Sequence, residues 1–184
     1  YRKEQHTRRD LIDRQLTAAG WDSPPATVTP EELCPGRILI GGRGIHDSNT
    51  SRFCDYVLRY HGRVMATIEA KAETEDCNEG IVQAKDYAER LDCTMAYATN
   101  GHEIYQIDMD TLEEGEITTF PTPDELWERT MGEKQEQGHT WKDRFSRVPV
   151  ARKGGGWKPR YYQEHAINNA LDTIASGEKR ILLA

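Results

Sequence analysis

The sequence lacks the features that would place the protein in a membrane or in an oxidising compartment. Its 184 residues contain no apolar run near the roughly 18 residues that a membrane span needs. There is no initiator methionine and no signal peptide. The four cysteines form no C-x-x-C pair and have no histidine at zinc spacing. We therefore expect a cytoplasmic fragment without membrane association, whose thiols are reduced and part-buried.

Charge is present in quantity but is unevenly distributed. Within a net charge of -7, residues 69–128 hold 17 acidic and 3 basic side chains, whereas residues 129–160 hold 9 basic and 3 acidic ones. The N-terminal segment is also rich in arginine. An acidic centre between basic arms suits a metal site beside a phosphate-binding surface. On charge alone, solvated faces and a flexible linker are the simpler explanation.

The pattern of apolar residues predicts a mixed α/β fold. A helix is expected over residues 3–19, a proline-rich loop over 22–36, and a further helix over 79–91. Another helix is expected to start at Thr122-Pro123-Asp124-Glu125, which combines a capping box with Pro at the first helical position. Short strands are expected at 37–40, 53–60, 64–71, 94–99 and 103–107. A helical crossover as long as that over 79–91 usually joins parallel strands. The expected fold class is α/β, with a mixed central sheet flanked by helices.

An unusual strand end provides the first indication of function. The apolar run that begins at Val64 ends on Glu69-Ala70-Lys71. With a three-residue hairpin loop, Asp55 lies opposite Glu69, and Lys71 shares the face of Glu69. Two carboxylates brought together in this way would suit Mg²⁺, a hard cation that prefers oxygen ligands. Lys71 could then orient or deprotonate a water, or stabilise a phosphodiester transition state.

Other interpretations of these residues stay open. A solvated ion pair is the simpler explanation of an isolated E-x-K triplet, and a two-residue loop would pair Asp55 with Ile68 unless a bulge corrected the register. Gln83 and Tyr87 are four apart on one helical face. They could contact the backbone of a bound nucleic-acid strand, or could pack on their own sheet.

The combination D…E-x-K followed by Q-x-x-x-Y resembles the PD-(D/E)xK nuclease superfamily, in the branch that includes the RecB-like nucleases. The surrounding segments are more specific and resemble the N-terminal domain of the restriction (R) subunit of type I restriction-modification enzymes over most of residues 4–128. The segments that carry this resemblance are RRDLID with AGW, DYVL, IEAK, QAKDYA, YATNG and FPTPDELW, in that order.

The resemblance implies a function and a set of partners. Asp55 and Glu69 would bind Mg²⁺, Lys71 would complete the catalytic set, and Gln83 and Tyr87 would support DNA binding and cleavage. Double-stranded DNA would be cut non-specifically after ATP-driven translocation by a motor domain. Methyltransferase (M) and specificity (S) subunits would be the partners, and only they would use S-adenosylmethionine.

The same resemblance implies a division into domains. Residues 1–130 would form the nuclease domain, 131–159 a basic, Gly-rich linker, and 160–184 the truncated start of a superfamily 2 helicase-like motor. Gln163 resembles the adenine-contacting glutamine of that motor. The Walker A loop that would follow is absent, so we expect no ATP hydrolysis from this chain although the full-length subunit would use ATP.

Several questions stay open at this stage. A basic residue often follows the lysine in this family, but Ala72 occupies that position. A further acid could come from the first helix, where Glu4, Asp10 and Asp13 are candidates, although a solvated face would explain each. The chain could instead be a catalytically silent docking module for partner subunits, or a stand-alone RecB-like nuclease. The motor-like C-terminal segment argues against the last alternative.

Overall fold

The computed structural model describes residues 2–34, 38–39, 45–46 and 52–131, together with scattered helical positions between 163 and 174. Most of the predicted linker and motor segment therefore lies outside the described residues. The strands are β1 (Ala26–Cys34), β2 (Ile38–Leu39), β3 (Ile45–His46), β4 (Arg52–Tyr60), β5 (Arg63–Ala70), β6 (Met95–Thr99), β7 (Ile104–Asp108) and β8 (Glu114–Ile117).

Six of these strands form one mixed sheet, which confirms the predicted fold class. The strand order is β1-β4-β5-β6-β7-β8, with β5 and β6 parallel and every other neighbouring pair antiparallel. A 3-10 turn (Cys77–Gly80) and helix α3 (Ile81–Leu91) cross over between β5 and β6. The short strands β2 and β3 pair with each other in a separate two-stranded sheet.

The N-terminal helix is continuous but changes its winding in the middle. An α-helical segment α1 (Arg2–Thr7) leads into a π-helical turn (Arg8–Ile12) and then into α2 (Asp13–Ala18). The helix ends at Ala18, and Gly20, two residues later, has a φ of +88° that suits a residue without a side chain. Trp21 follows, fully buried, with its indole N–H donating to the Pro121 carbonyl at 2.9 Å. These contacts hold the helix against the rest of the domain.

The β4–β5 hairpin reaches the predicted register by a different route. The loop has two residues, His61 and Gly62, both with positive φ, so Tyr60 pairs with Arg63. A bulge between Leu58 and Arg59 then shifts the register by one residue. Beyond that bulge the pairing continues to Tyr56 opposite Ile68, and the same register extended by one residue brings Asp55 next to Glu69. The loop is thus the two-residue alternative and not the assumed three-residue one, and the bulge restores the register that brings Asp55 to Glu69.

Two other predictions of secondary structure need correction. Residues 22–36 are not a loop throughout, because Ala26–Cys34 forms β1 despite Pro30. Since β1 lies at the edge of the sheet, a missing N–H on its outer side breaks no ladder bond. The strand β8 at the other edge was not predicted at all. Its sequence Glu-Gly-Glu-Ile has too little apolar character to indicate a strand.

The C-terminal part of the described domain follows the prediction. Helix α4 (Pro123–Met131) starts with a capping box, in which the Thr122 N–H donates to Glu125 Oε2 and the Glu125 N–H donates to Thr122 Oγ1. All four cysteines are free and buried, as expected. Among the described residues, no helix has the length and apolar character required to cross a bilayer.

Candidate active site

The predicted triad meets where the first part of β4 lies beside the end of β5. Glu69 is 5% exposed, and its Oε1 accepts a hydrogen bond from Lys71 Nζ at 2.9 Å. Asp55 lies beside them, with its Oδ2 accepting the N–H of Ala70 at 2.8 Å. The backbone N–H of Ala70 therefore fixes the Asp55 carboxylate, and the residues on either side of Ala70 carry the Glu69 carboxylate and the Lys71 ammonium. Asp55, Glu69 and Lys71 form one cluster, which we call the acidic site.

Lys71 is held from two sides. Its ammonium donates to Glu69 Oε1 and also to Gln83 Oε1 on the first turn of α3, at 2.5 Å. Of the two helix residues predicted to support the site, Gln83 thus contacts the lysine directly. Tyr87 lies one turn later and is only 3% exposed, where it packs with Cys54 and Val57. The role of Tyr87 in DNA binding stays a prediction, and its burial shows that its side chain packs in the core.

Burial and mutual repulsion determine the electrostatics of the acidic site. Burial, and then the negative charge of Asp55, raise the pKa of Glu69 to about 7, although Lys71 counteracts them. Burial likewise raises the pKa of Asp55 above its ordinary value, against the opposing effects of the Ala70 N–H and of Arg8. Two buried carboxylates that resist joint ionisation fit a divalent cation, because the cation would remove their repulsion. Asp55 and Glu69 would be the residues that hold it.

We expect the raised pKa of Glu69 to make the metal-free chain less stable as pH rises. The folded carboxyl titrates near pH 7 and the unfolded one near its ordinary 4.5, so the folded state binds more protons between these values. The free energy of unfolding should therefore fall by about 1–3 kcal/mol from pH 4.5 to 7, and the full loss should persist above pH 7. Glu69→Gln is neutral throughout and should lack this decline. Urea denaturation of both chains with EDTA, at pH 5 and pH 8, measures the difference; a constant difference would contradict the prediction.

The side chains of Glu69 and Lys71 pack closely against the backbone of Gly80. A Cβ at this position would lie 3.1 Å from Glu69 Cγ, 3.3 Å from Ala98 Cβ and 3.4 Å from Lys71 Cε. The backbone φ of −86° is an ordinary one, so an alanine would add crowding without backbone strain. The absence of a side chain at Gly80 therefore allows Glu69 and Lys71 to occupy their positions.

We expect Gly80→Ala to reduce Mg²⁺ affinity and DNA nicking about 10-fold, because small displacements of catalytic groups have large kinetic effects. The free energy of unfolding should change by only about 1 kcal/mol. Gly115→Ala is the matched control, since a Cβ there meets nothing within 4 Å. Calorimetric Mg²⁺ titration and urea denaturation of both variants provide the measurement. Equal loss of Mg²⁺ affinity in the two variants would argue against a steric role for Gly80.

The three acids of the N-terminal helix are placed differently. Asp13 accepts the Tyr56 hydroxyl at 2.7 Å, and Asp10 pairs with His6 at 2.9 Å, so both are engaged elsewhere. Glu4 is half-buried, and burial followed by the negative charge of Asp55 raises the pKa of its carboxyl. Of the three candidates, Glu4 is therefore the one whose carboxyl interacts electrostatically with the acidic site.

Sequence analysis assigned no role to two residues of the N-terminal helix that contact the acidic site or the backbone just after it. Arg8 donates to Asp55, and Thr7 Oγ1 accepts the N–H of Glu73 at 2.9 Å, just after Lys71. Both contacts span more than 40 residues, so no local spacing could indicate them. The predicted nucleotide contact Gln163 is half-buried in a helical stretch, and nothing in the described residues tests its role.

Comparison with known proteins shows which proteins this chain is similar to. No family model matches the chain. The chain is 34% identical over 195 aligned residues to the type I restriction enzyme EcoAI endonuclease subunit of Escherichia coli, and the match covers 96% of this chain but 23% of that subunit. A fragment structure assigned to an HsdR subunit of a type I restriction enzyme from Vibrio vulnificus YJ016 matches with a TM-score of 0.79 and 34% identity. That match covers 98% of this chain and 34% of the other.

The fold is therefore that of the restriction-endonuclease-like α/β domains, with a mixed sheet, flanking helices and an acidic strand end. More particularly, the chain is homologous over nearly its whole length to a segment of the endonuclease (R) subunits of type I restriction enzymes, and the predicted resemblance is confirmed. It spans 23% of the E. coli subunit and 34% of the Vibrio chain.

Proposed function

We propose that this chain is the Mg²⁺-dependent DNA endonuclease domain of a type I restriction enzyme R subunit. The observation that carries the proposal is the contact of Lys71 Nζ with Glu69 Oε1 at 2.9 Å, beside the fixed Asp55 carboxylate. A solvated ion pair would leave these groups exposed, but the Glu69 and Lys71 side chains are only 7% and 16% exposed. The names of the homologous subunits support the same activity.

The residues of the acidic site have separate tasks in phosphodiester hydrolysis. Asp55 and Glu69 would hold the metal, which when bound would neutralise phosphate charge and lower the pKa of the attacking water. Lys71 orients that water or stabilises the negative charge that develops on the phosphate oxygens. The water oxygen bonds to phosphorus as the ester bond to the leaving deoxyribose oxygen breaks. The attacking water gives up one proton to solvent, and the leaving oxygen takes one proton from solvent, so the step balances. Gln83 holds the Lys71 ammonium in place through its amide oxygen.

We extend the proposal to a wider assembly, because the homologous subunits are much longer than this chain. In the complete protein a motor domain would use ATP to move double-stranded DNA, and cleavage would follow translocation without sequence preference at the cut. M and S subunits would recognise and methylate DNA with S-adenosylmethionine. Backbone contacts, rather than base readout, are sufficient for a nuclease of this kind.

A paired measurement tests the proposal. Mg²⁺ titration by calorimetry is carried out on the wild-type chain, on Glu69→Ala and on Glu128→Ala, an exposed glutamate of α4 that serves as control. Nicking of supercoiled plasmid is measured on the same samples. Wild type and Glu128→Ala should bind Mg²⁺ and nick, and Glu69→Ala should do neither.

Two other results would have a defined meaning. Binding that depends on Glu69 without nicking would show a competent site that requires the rest of the R subunit. Absence of Glu69-dependent binding, even with DNA present, would contradict the nuclease assignment. The chain would then be better described as a docking module for its partner subunits.

A further inference from the structure

The N-terminal helix contacts the acidic site through a buried arginine. Arg8 is the first residue of the π-helical turn, and its side chain is 11% exposed. Its Nη1 donates to Asp55 Oδ1 at 3.3 Å, and its Nη2 donates to the Asp55 backbone carbonyl at 3.2 Å. One guanidinium therefore contacts both the side chain and the main chain of the same aspartate.

We propose that Arg8 is a positioning residue for metal binding, which fixes the Asp55 carboxylate in its ligating orientation. The inference rests on the proposed function, because it takes Asp55 as a metal ligand. Arg8 itself would not touch the metal or the reacting phosphate.

The two oxygens of Asp55 show why a second partner matters. Oδ2 is fixed by the Ala70 N–H at 2.8 Å, and a single hydrogen bond leaves the carboxylate free to turn about it. The contact of Arg8 with Oδ1 removes that freedom. Each carboxylate oxygen still has a lone pair to offer, because it can accept more than one bond. Asp55 is thus oriented without being saturated.

Arg8 is itself held in a way that suits this task. Its guanidinium carbon lies 4.9 Å from the centre of the Tyr56 ring, and its Nη1 also donates to Glu31 Oε1 at 3.2 Å. A lysine could supply the charge at this position but not the fork of donors that reaches the side chain and the carbonyl together. The adjacent Arg9 provides a contrast, since its side chain is 87% exposed and pairs with Asp10 at the surface.

The charges around the acidic site agree with this role. Asp55, Glu69 and the half-buried Glu4 bring three negative charges, and Glu31 adds a fourth at the edge. Arg8 and Lys71 supply two positive charges, so the cluster has a net charge of about -2 when every group is ionised. A divalent cation would balance that charge. Arg8 therefore offsets part of the negative charge next to Asp55 and still leaves the net charge that a divalent cation would balance.

The test compares Arg8→Lys and Arg8→Ala with Arg9→Ala. Mg²⁺ affinity is measured by calorimetry on the 184-residue chain, and thermal denaturation without metal is measured on the same samples. Residues that orient metal ligands typically contribute 10- to 100-fold to affinity, and we expect both Arg8 variants to weaken Mg²⁺ binding by about that factor. Arg9→Ala should bind as the wild type does.

A second control separates positioning from stability. Leu126→Ala removes a fully buried side chain of α4 and destabilises the chain away from the acidic site. Under conditions in which it remains folded, it should keep wild-type Mg²⁺ affinity, whereas Arg8→Lys should not. Where the chain nicks plasmid, Arg8→Lys should also need more Mg²⁺ for half-maximal nicking and should approach the wild-type rate at saturation.

The possible failures are distinguishable. Wild-type affinity in both Arg8 variants, with binding lost in Glu69→Ala, would overturn the role of Arg8 and leave the proposed function intact. Absence of any Glu69-dependent Mg²⁺ binding in the wild type would overturn both. If Arg8→Ala does not fold, Arg8→Lys decides the question alone.

Discussion

Lys71→Ala is expected to bind Mg²⁺ at least as tightly as the wild-type chain, yet to nick plasmid about 100- to 1000-fold more slowly. Lys71 donates to Glu69 Oε1, so its ammonium competes with a metal for that carboxylate. Its removal leaves the acidic site more negative, which favours a cation. The rate falls because the charge that orients the water or stabilises the transition state is lost. Binding and catalysis thus separate in one variant, unlike in Glu69→Ala.

The control for this prediction is Lys85→Ala. Lys85 lies on α3, as Gln83 does, but it pairs with Glu114 on β8 and is not part of the acidic site. Calorimetry and single-turnover nicking with excess protein, at saturating Mg²⁺, would measure the two quantities. Nicking by Lys71→Ala at the rate of Lys85→Ala would remove Lys71 from the mechanism, and a large loss of Mg²⁺ affinity would show that Lys71 mainly maintains the site.

The pairing of Asp55 with Glu69 shows how far spacing arguments reach. The period of two residues per strand correctly placed Lys71 beside Glu69, since that relation is local. The relation between Asp55 and Glu69 depends on the hairpin, and the assumed loop length was wrong by one residue. The bulge between Leu58 and Arg59 compensated for the error. A bulge has no reliable sequence signature here, so the register could be predicted only as one of two alternatives.

Contacts between distant segments could not be predicted from the sequence for a different reason. Arg8 and Glu4 belong to a helix whose polar face is consistent with solvent exposure, and only the docking of that helix brings them to the acidic site. The edge strand β1 was missed because proline is usually read as a strand breaker, yet an edge position tolerates Pro30. The long, periodic helix α3 and the capping box of α4 were predicted correctly, because their signals lie within a few residues.

The second large effect is expected at Gly101, in the turn between β6 and β7. Gly101 has a φ of +87°, and a Cβ there would lie 2.7 Å from Leu11 Cδ1, 2.9 Å from Leu11 Cβ and 3.1 Å from Thr7 Cγ2. The Gly101 carbonyl also accepts Gln15 Nε2 at 2.8 Å. The N-terminal helix therefore packs directly against this turn. We expect Gly101→Ala to destabilise the chain by about 2–5 kcal/mol, from strained backbone and from crowding together.

Gly62→Ala separates the two contributions, because Gly62 has a similar φ of +79° but a Cβ there meets nothing within 4 Å. It should lose only the backbone part, about 1–2 kcal/mol. The additional loss of unfolding free energy in Gly101→Ala, measured by urea denaturation, reports how tightly the N-terminal helix packs against the turn. Since Thr7 and Arg8 are adjacent on that helix, Gly101→Ala should also weaken Mg²⁺ binding while Gly62→Ala does not. Equal destabilisation of the two variants would mean that the helix moves away from Gly101 at little cost. The acidic site would then not depend on the exact position of the N-terminal helix.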